Sequence, residues 1–179
     1  MKTKDIVNIS FFATLLAVCA WICIPTVVPF TMQTFAVFLA MLVLGGRKGT
    51  IVICIYLLLG AVGLPVFSRG TAGIGVLFGN TGGYMIGWLF IGIIMCVIEK
   101  LKIAVNNKWM KAAGMILGMC LCYFFGTWWF LMVYAKGAEA VSISTALGIC
   151  VIPFIIPDII KMVLAFAISK RIVRITELV

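Results

Sequence analysis

Apolar residues run through this chain in long blocks, and polar positions are confined to short breaks between them. Six blocks have the composition of membrane-crossing helices: residues 7–24, 31–44, 50–62, 84–98, 112–134 and 144–168. A helix needs about 20 apolar residues to cross the hydrocarbon. The second and third blocks fall short of that and are separated by Gly45-Gly46-Arg47-Lys48-Gly49. One continuous span there would set two adjacent cations in hydrocarbon, at high cost. A turn is therefore predicted, and with it an all-α integral membrane protein of six transmembrane helices. It forms one membrane domain over residues 1–179.

Composition agrees. The chain of 179 residues is 65% hydrophobic and only 11% charged, with a mean hydropathy of +1.28. Soluble domains carry about a quarter charged residues. The start, Met1-Lys2-Thr3-Lys4 followed by an apolar run, resembles a signal peptide. The later spans favour an uncleaved first helix instead.

The net charge of +9 does not point to nucleic acid, because the cations sit in short connections beside apolar blocks. With the N-terminus inside, eleven fall on the cytoplasmic side: Lys2, Lys4, Arg47, Lys48, Lys100, Lys102, Lys108, Lys111, Lys170, Arg171 and Arg174. Only Arg69 and Lys136 fall outside. Both termini are thus expected in the cytoplasm.

Asp158 and Lys161 are the charged residues deep inside an apolar stretch, 142–168. Charge at membrane depth faces a cavity or a partner rather than lipid. The i, i+3 spacing puts both on one helix face. Pro153 and Pro157 interrupt the same span and free backbone carbonyls, which only protein or a cavity can satisfy. Two readings stand: a self-neutralising ion pair, or a pocket for a polar, anionic or zwitterionic molecule.

Residues 63–83 contain seven glycines but also Val66, Phe67, Ile74, Val76, Leu77 and Phe78. A solvated linker would be polar. This external loop is expected to fold back over the bundle and cover a pocket; the alternative is a glycine-rich turn with no ligand. Asn80 offers a donor and an acceptor together, though Asn also caps helices. Gln33 is a polar candidate near the start of the second span. Phe35, Phe67, Tyr84 and Trp88 can line an apolar pocket, and Arg69 can draw an anion to its mouth. Ala13 and Ala17 form a small-residue face on the first helix, as do Gly83/Gly87 and Gly114/Gly118 elsewhere. Such faces admit a close helix neighbour, from this chain or another.

The seven cysteines lie in apolar blocks without a CxxC pair, and there is no histidine, so they read as packing residues and neither a metal nor a cofactor is expected. There is no phosphate-binding loop of the Walker type, no HExxH and no GxSxG, which speaks against an enzyme. A substrate-binding transporter subunit and an ion-coupled carrier using Asp158 as its cation site both remain open.

Gly60-Ala61-Val62-Gly63-Leu64-Pro65-Val66-Phe67, the glycine-rich run and Gly79-Asn80-Thr81-Gly82-Gly83-Tyr84 resemble the BioY family, the biotin-binding membrane subunits (S components) of energy-coupling-factor (ECF) transporters. Pro29-Phe30-Thr31-Met32-Gln33-Thr34 and Pro157-Asp158-Ile159-Ile160-Lys161 fit as well. The chain departs from the family where Asn80 replaces an expected proline and Arg69 an expected glycine. The resemblance implies a compact six-helix S-component bundle in a bacterial cell membrane that captures biotin from outside. It implies, as partners, a transmembrane coupling protein and two cytoplasmic ATPases that use ATP. Ala13 and Ala17 match the small residues on helix 1 through which family members dock. Asn80, Asp158 and Lys161 become the expected biotin contacts, with Gln33, Phe67, Arg69, Tyr84 and Trp88 around them. Reporter fusions at the two ends should both read out in the cytoplasm; an external signal from either would refute six spans.

Overall fold

The structure, a computed structural model, describes residues 2–26, 28–101, 107–134 and 142–176. Helix α1 runs over Thr3–Trp21. It buries Ile9, Phe12, Ala13, Leu16, Cys19 and Ala20, a spacing of three and four that marks one face. Val7, Phe11 and Val18 are exposed on the other side. The helix stops at Trp21, earlier than the apolar block suggests. Residues Cys23–Ile24 (β1) and Phe30–Thr31 (β2) then pair antiparallel into a minimal hairpin. Its far end is held by the Met32 N–H, which donates to the carbonyls of Cys19 and Ile22.

Helix α2 covers Gln33–Val62 but reverses direction inside that range. Gly45 adopts φ 82°, ψ 169°, a conformation closed to residues with a Cβ. The Gln33 amide donates to the Tyr56 hydroxyl. In a straight helix those residues would stand about 35 Å apart, so 33–44 and 46–62 lie antiparallel as two short spans. The turn is bolted to its neighbour: the Glu99 carboxylate accepts the Gly46 N–H through both oxygens, at 2.8 and 2.9 Å. A Cβ at Gly46 would come within 2.4 Å of the Cys96 backbone nitrogen.

Beyond α2, the glycine-rich connection holds a single turn at Ser68–Gly70 and helix α3 at Ile74–Leu77. Phe67 is buried to 1% exposure and packs edge-on against Tyr56 at 5.5 Å. The Gly73 N–H donates to the Gly60 carbonyl at 2.7 Å. The loop is therefore pinned inward through Phe67, whereas Ile74 and Phe78, also expected to be buried, are exposed.

Helices α4 (Gly82–Lys100) and α5 (Lys108–Tyr134) form the tightest pair. Gly83 abuts Trp129, Gly87 abuts Cys122, Gly118 abuts Ile91 and Gly126 abuts Tyr84. The glycine pairs visible in the sequence thus serve a contact within this chain. The last apolar block is not one helix. Helix α6, Ile143–Cys150, ends at Val151 (φ −122°, ψ −58°), and α7, Ile152–Thr176, begins beside it. Pro153 explains the break: it has no N–H to give Ile149, and its ring clashes with that carbonyl. Pro153 is tolerated in the first turn of α7, while Pro157 lies farther inside.

The polar links define two ends. Lys48 pairs with Asp5 at 2.6 Å, and together with Glu99–Gly46 this gathers the start of α1, the α2 reversal and the end of α4. That end carries most of the described cations and is the end expected in the cytoplasm by the positive-inside rule. At the opposite end the Trp21 indole donates to the Pro65 carbonyl at 3.2 Å. Lys102 and Lys136 lie outside the described residues. Gly46→Ala should destabilise the protein by about 1–3 kcal/mol through overpacking against α4, measured as heat denaturation in detergent. Arg69 holds a left-handed φ of 60°, a conformation in which glycine is at home. Arg69→Gly should raise stability by about 1 kcal/mol.

Candidate functional site

A cavity of about 80 Å³ opens where the hairpin, the loop and the outer halves of α2, α4, α5 and α7 converge. About 10–15 Å³ suffices for one water, so the space accommodates several solvent-sized groups. Its walls are mainly aromatic and aliphatic, and a polar group is formed by Asp158 and Lys161 of α7 with Thr34 of α2, while Thr31, Gln33, Ser68 and Thr81 add polar atoms from the hairpin, α2 and the loop.

Asp158 and Lys161 lie at the centre of that polar group, each 4% exposed. The Lys161 ammonium donates to Asp158 Oδ1 at 2.9 Å and to Thr34 Oγ1 at 3.0 Å. The Thr34 hydroxyl donates in turn to Asp158 Oδ1 at 2.8 Å. The second carboxylate oxygen, Oδ2, accepts the Tyr123 hydroxyl at 2.6 Å. The ammonium also sits 4.3 Å from the centre of the Phe30 ring, a cation–π distance. Among the described residues no buried side-chain nitrogen or oxygen lacks a partner. The two readings of the sequence thus coexist: the charges pair with each other and also line a cavity.

A second polar chain crosses α2. Thr31 donates to Gln33 Oε1 at 2.7 Å, Gln33 donates to Tyr56, and Tyr56 donates to the Val66 carbonyl at 3.0 Å. It ties the hairpin to the loop through the reversed halves of α2. On the α4 wall, the Tyr84 hydroxyl bonds Thr127 at 3.0 Å, and Trp88 is buried next to Tyr56.

Six residues singled out from the sequence therefore meet here: Gln33, Phe67, Tyr84, Trp88, Asp158 and Lys161 all line the cavity. Phe35, Asn80 and Arg69 do not: Phe35 is half-buried on α2, and the other two are exposed. Helix α4 begins at Gly82 behind Thr81, which takes the lining position and leaves Asn80 in the turn outside. Arg69 sits on the outward turn of the loop. Ala13 is buried at 4% exposure in the chain's own core, and Ala17 is half-buried beside it. Ala13 therefore offers little surface to a second protein, on a helix that packs mainly against α2.

Sequence reasoning missed Thr34 and Tyr123. Tyr123 had a signal: it stands at the middle of the 112–134 block, far from the interfacial belts where tyrosine gathers. Thr34 had none, since a threonine in a span satisfies its hydroxyl on its own helix with ease. Cys122 and Cys150, read as packing, are buried and line the cavity. No cluster of metal-binding side chains occurs among the described residues.

The BioY family model matches residues 1–177. The chain is 35% identical over 170 residues to "Biotin transporter BioY" of Thermotoga maritima, covering 94% of this chain and 95% of that one. It is 35% identical over 175 residues to "Biotin transporter BioY2" of Lactococcus lactis subsp. cremoris, covering 97% and 92%. Its fold superposes on the crystal structure of the S-component for biotin from an ECF-type ABC transporter with a TM-score of 0.83 and 28% identity, over 96% of this chain and 94% of that one. A six-span bundle with a lined cavity near its outer end, matched to these relatives along nearly its whole length, places the chain in the BioY family of multi-pass membrane proteins.

Proposed function

We propose that this chain captures biotin from outside the cell and serves as the substrate-binding subunit of an ECF-type importer. The observation that carries this is the cavity itself: an aromatic enclosure with one buried acid–base pair, in a member of a family whose named relatives transport biotin. Biotin combines an apolar bicycle and pentanoyl chain with a ureido group that donates and accepts, and a carboxylate tail. Asp158 suits a ureido N–H as acceptor. Lys161 supplies positive charge to a carbonyl or carboxylate. Phe67, Tyr84 and Trp88 supply apolar walls, and Gln33 orders the loop side of the cavity through Tyr56.

The chain carries no ATP-binding loop of the Walker type. The proposal assigns the energy to partners, a transmembrane coupling protein and two cytoplasmic ATPases. Ala17 keeps some surface for such docking, and Ala13 does not.

The decisive measurement is a titration of the purified chain with biotin, followed by tryptophan fluorescence, with thiamine and riboflavin as controls. Saturable quenching by biotin alone supports the assignment; equal responses to all three refute it. Asp158→Ala and Lys161→Ala should each weaken binding by about 1–3 kcal/mol. Each also strands a buried charge, at about 3–5 kcal/mol of stability, so melting is recorded alongside affinity. Unchanged affinity in both folded variants would remove the pair from the site. Uptake by the chain alone in vesicles, driven by an ion gradient, would instead favour a carrier.

A further inference from the structure

We infer that Tyr123 and Thr34 are positioning residues for ligand recognition. Their task is to stop Asp158 and Lys161 from satisfying only each other. This rests on the biotin reading above.

A lysine three residues from an aspartate on one helix has a flexible stem that can reach both carboxylate oxygens. In a low-dielectric site, such a closed pair would gain the most by folding in on itself. The structure shows a different arrangement. Asp158 Oδ2 is occupied by the Tyr123 hydroxyl, which comes from α5 at 2.6 Å. Lys161 contacts Oδ1 only, and its ammonium is shared with Thr34 Oγ1 of α2. Thr34 closes a three-membered ring of hydrogen bonds, accepting from Lys161 and donating to Asp158. Each carboxylate oxygen therefore has a different set of partners, drawn from three helices.

The two hydroxyls also differ from the charges in what they can exchange. Thr34 both donates and accepts, so it can yield its place between acid and base to a ligand group that does the same. Tyr123 holds the carboxylate plane while that exchange occurs. Neither residue has another side-chain hydrogen bond among the described residues, so both hydroxyls are committed to this pair.

The test uses the whole purified chain and biotin titration, with melting recorded for every variant. Tyr123→Phe and Thr34→Val should each weaken biotin about tenfold or more, the loss expected for a hydrogen bond to a charged group. Thr34→Ser, which keeps the hydroxyl, should bind within about twofold of the parent. In an Asp158→Ala background, which removes the acceptor, Tyr123→Phe should change affinity by less than about twofold, because its effect passes through the carboxylate. A purely structural role would cost the same in either background and would overturn the inference. So would wild-type affinity in Tyr123→Phe and Thr34→Val. If the parent chain binds biotin while these variants are unaffected, only the positioning role falls. If the parent does not bind biotin, the functional reading falls and this inference with it.

Discussion

Everything at the outer end of this protein is arranged around one expensive object, an acid and a base buried on α7 at membrane depth. Bringing two ions out of water costs several kcal/mol each, even in relaxed protein interiors. Their mutual attraction repays that only with good geometry and further hydrogen bonds. Thr34 from α2 and Tyr123 from α5 supply those bonds. The pair therefore draws three helices to a common point, and the cavity forms where they meet.

The remaining polar links hold the scaffold in the positions this requires. Glu99 fastens the α2 reversal to α4, so that 33–44 brings Thr34 to α7 while 46–62 returns to carry Gly60 under Phe67. The Gln33–Tyr56–Val66 chain then joins hairpin, α2 and loop. Glycines on α4 and α5 let those helices close to backbone contact, which sets Tyr84 against Thr127 and brings Cys122 to the cavity wall. In lipid there is no hydrophobic force between helices, so close packing and hydrogen bonds of this kind must supply the specificity.

Phe30 links this centre to the outside. It belongs to the hairpin, lies against Lys161 and stacks on Phe154 at 5.8 Å. Phe154 sits just past the α6–α7 break that Pro153 imposes. The break thus has a consequence for the site: it frees the start of α7 to meet the hairpin instead of continuing α6 in a straight line.

Much of this was legible before any coordinates. Block lengths and the basic glycine turn determined six spans, and the cation asymmetry gave the direction to expect, because hydrocarbon excludes charge and unpaired backbone alike. The costly pair on the last span announced itself for the same reason, and the inward pull of Phe67 followed from apolar residues in a glycine-rich loop. What the sequence left undecided is which face of each helix points inward. Both lipid and protein interior accept apolar side chains, so periodicity carries little information here. That is why Ala13 reads as a docking surface but packs inside, and why Asn80 reads as a contact but stays out. Only tertiary packing decided that Thr34 and Tyr123, two hydroxyls distant in sequence, come to rest on the same carboxylate.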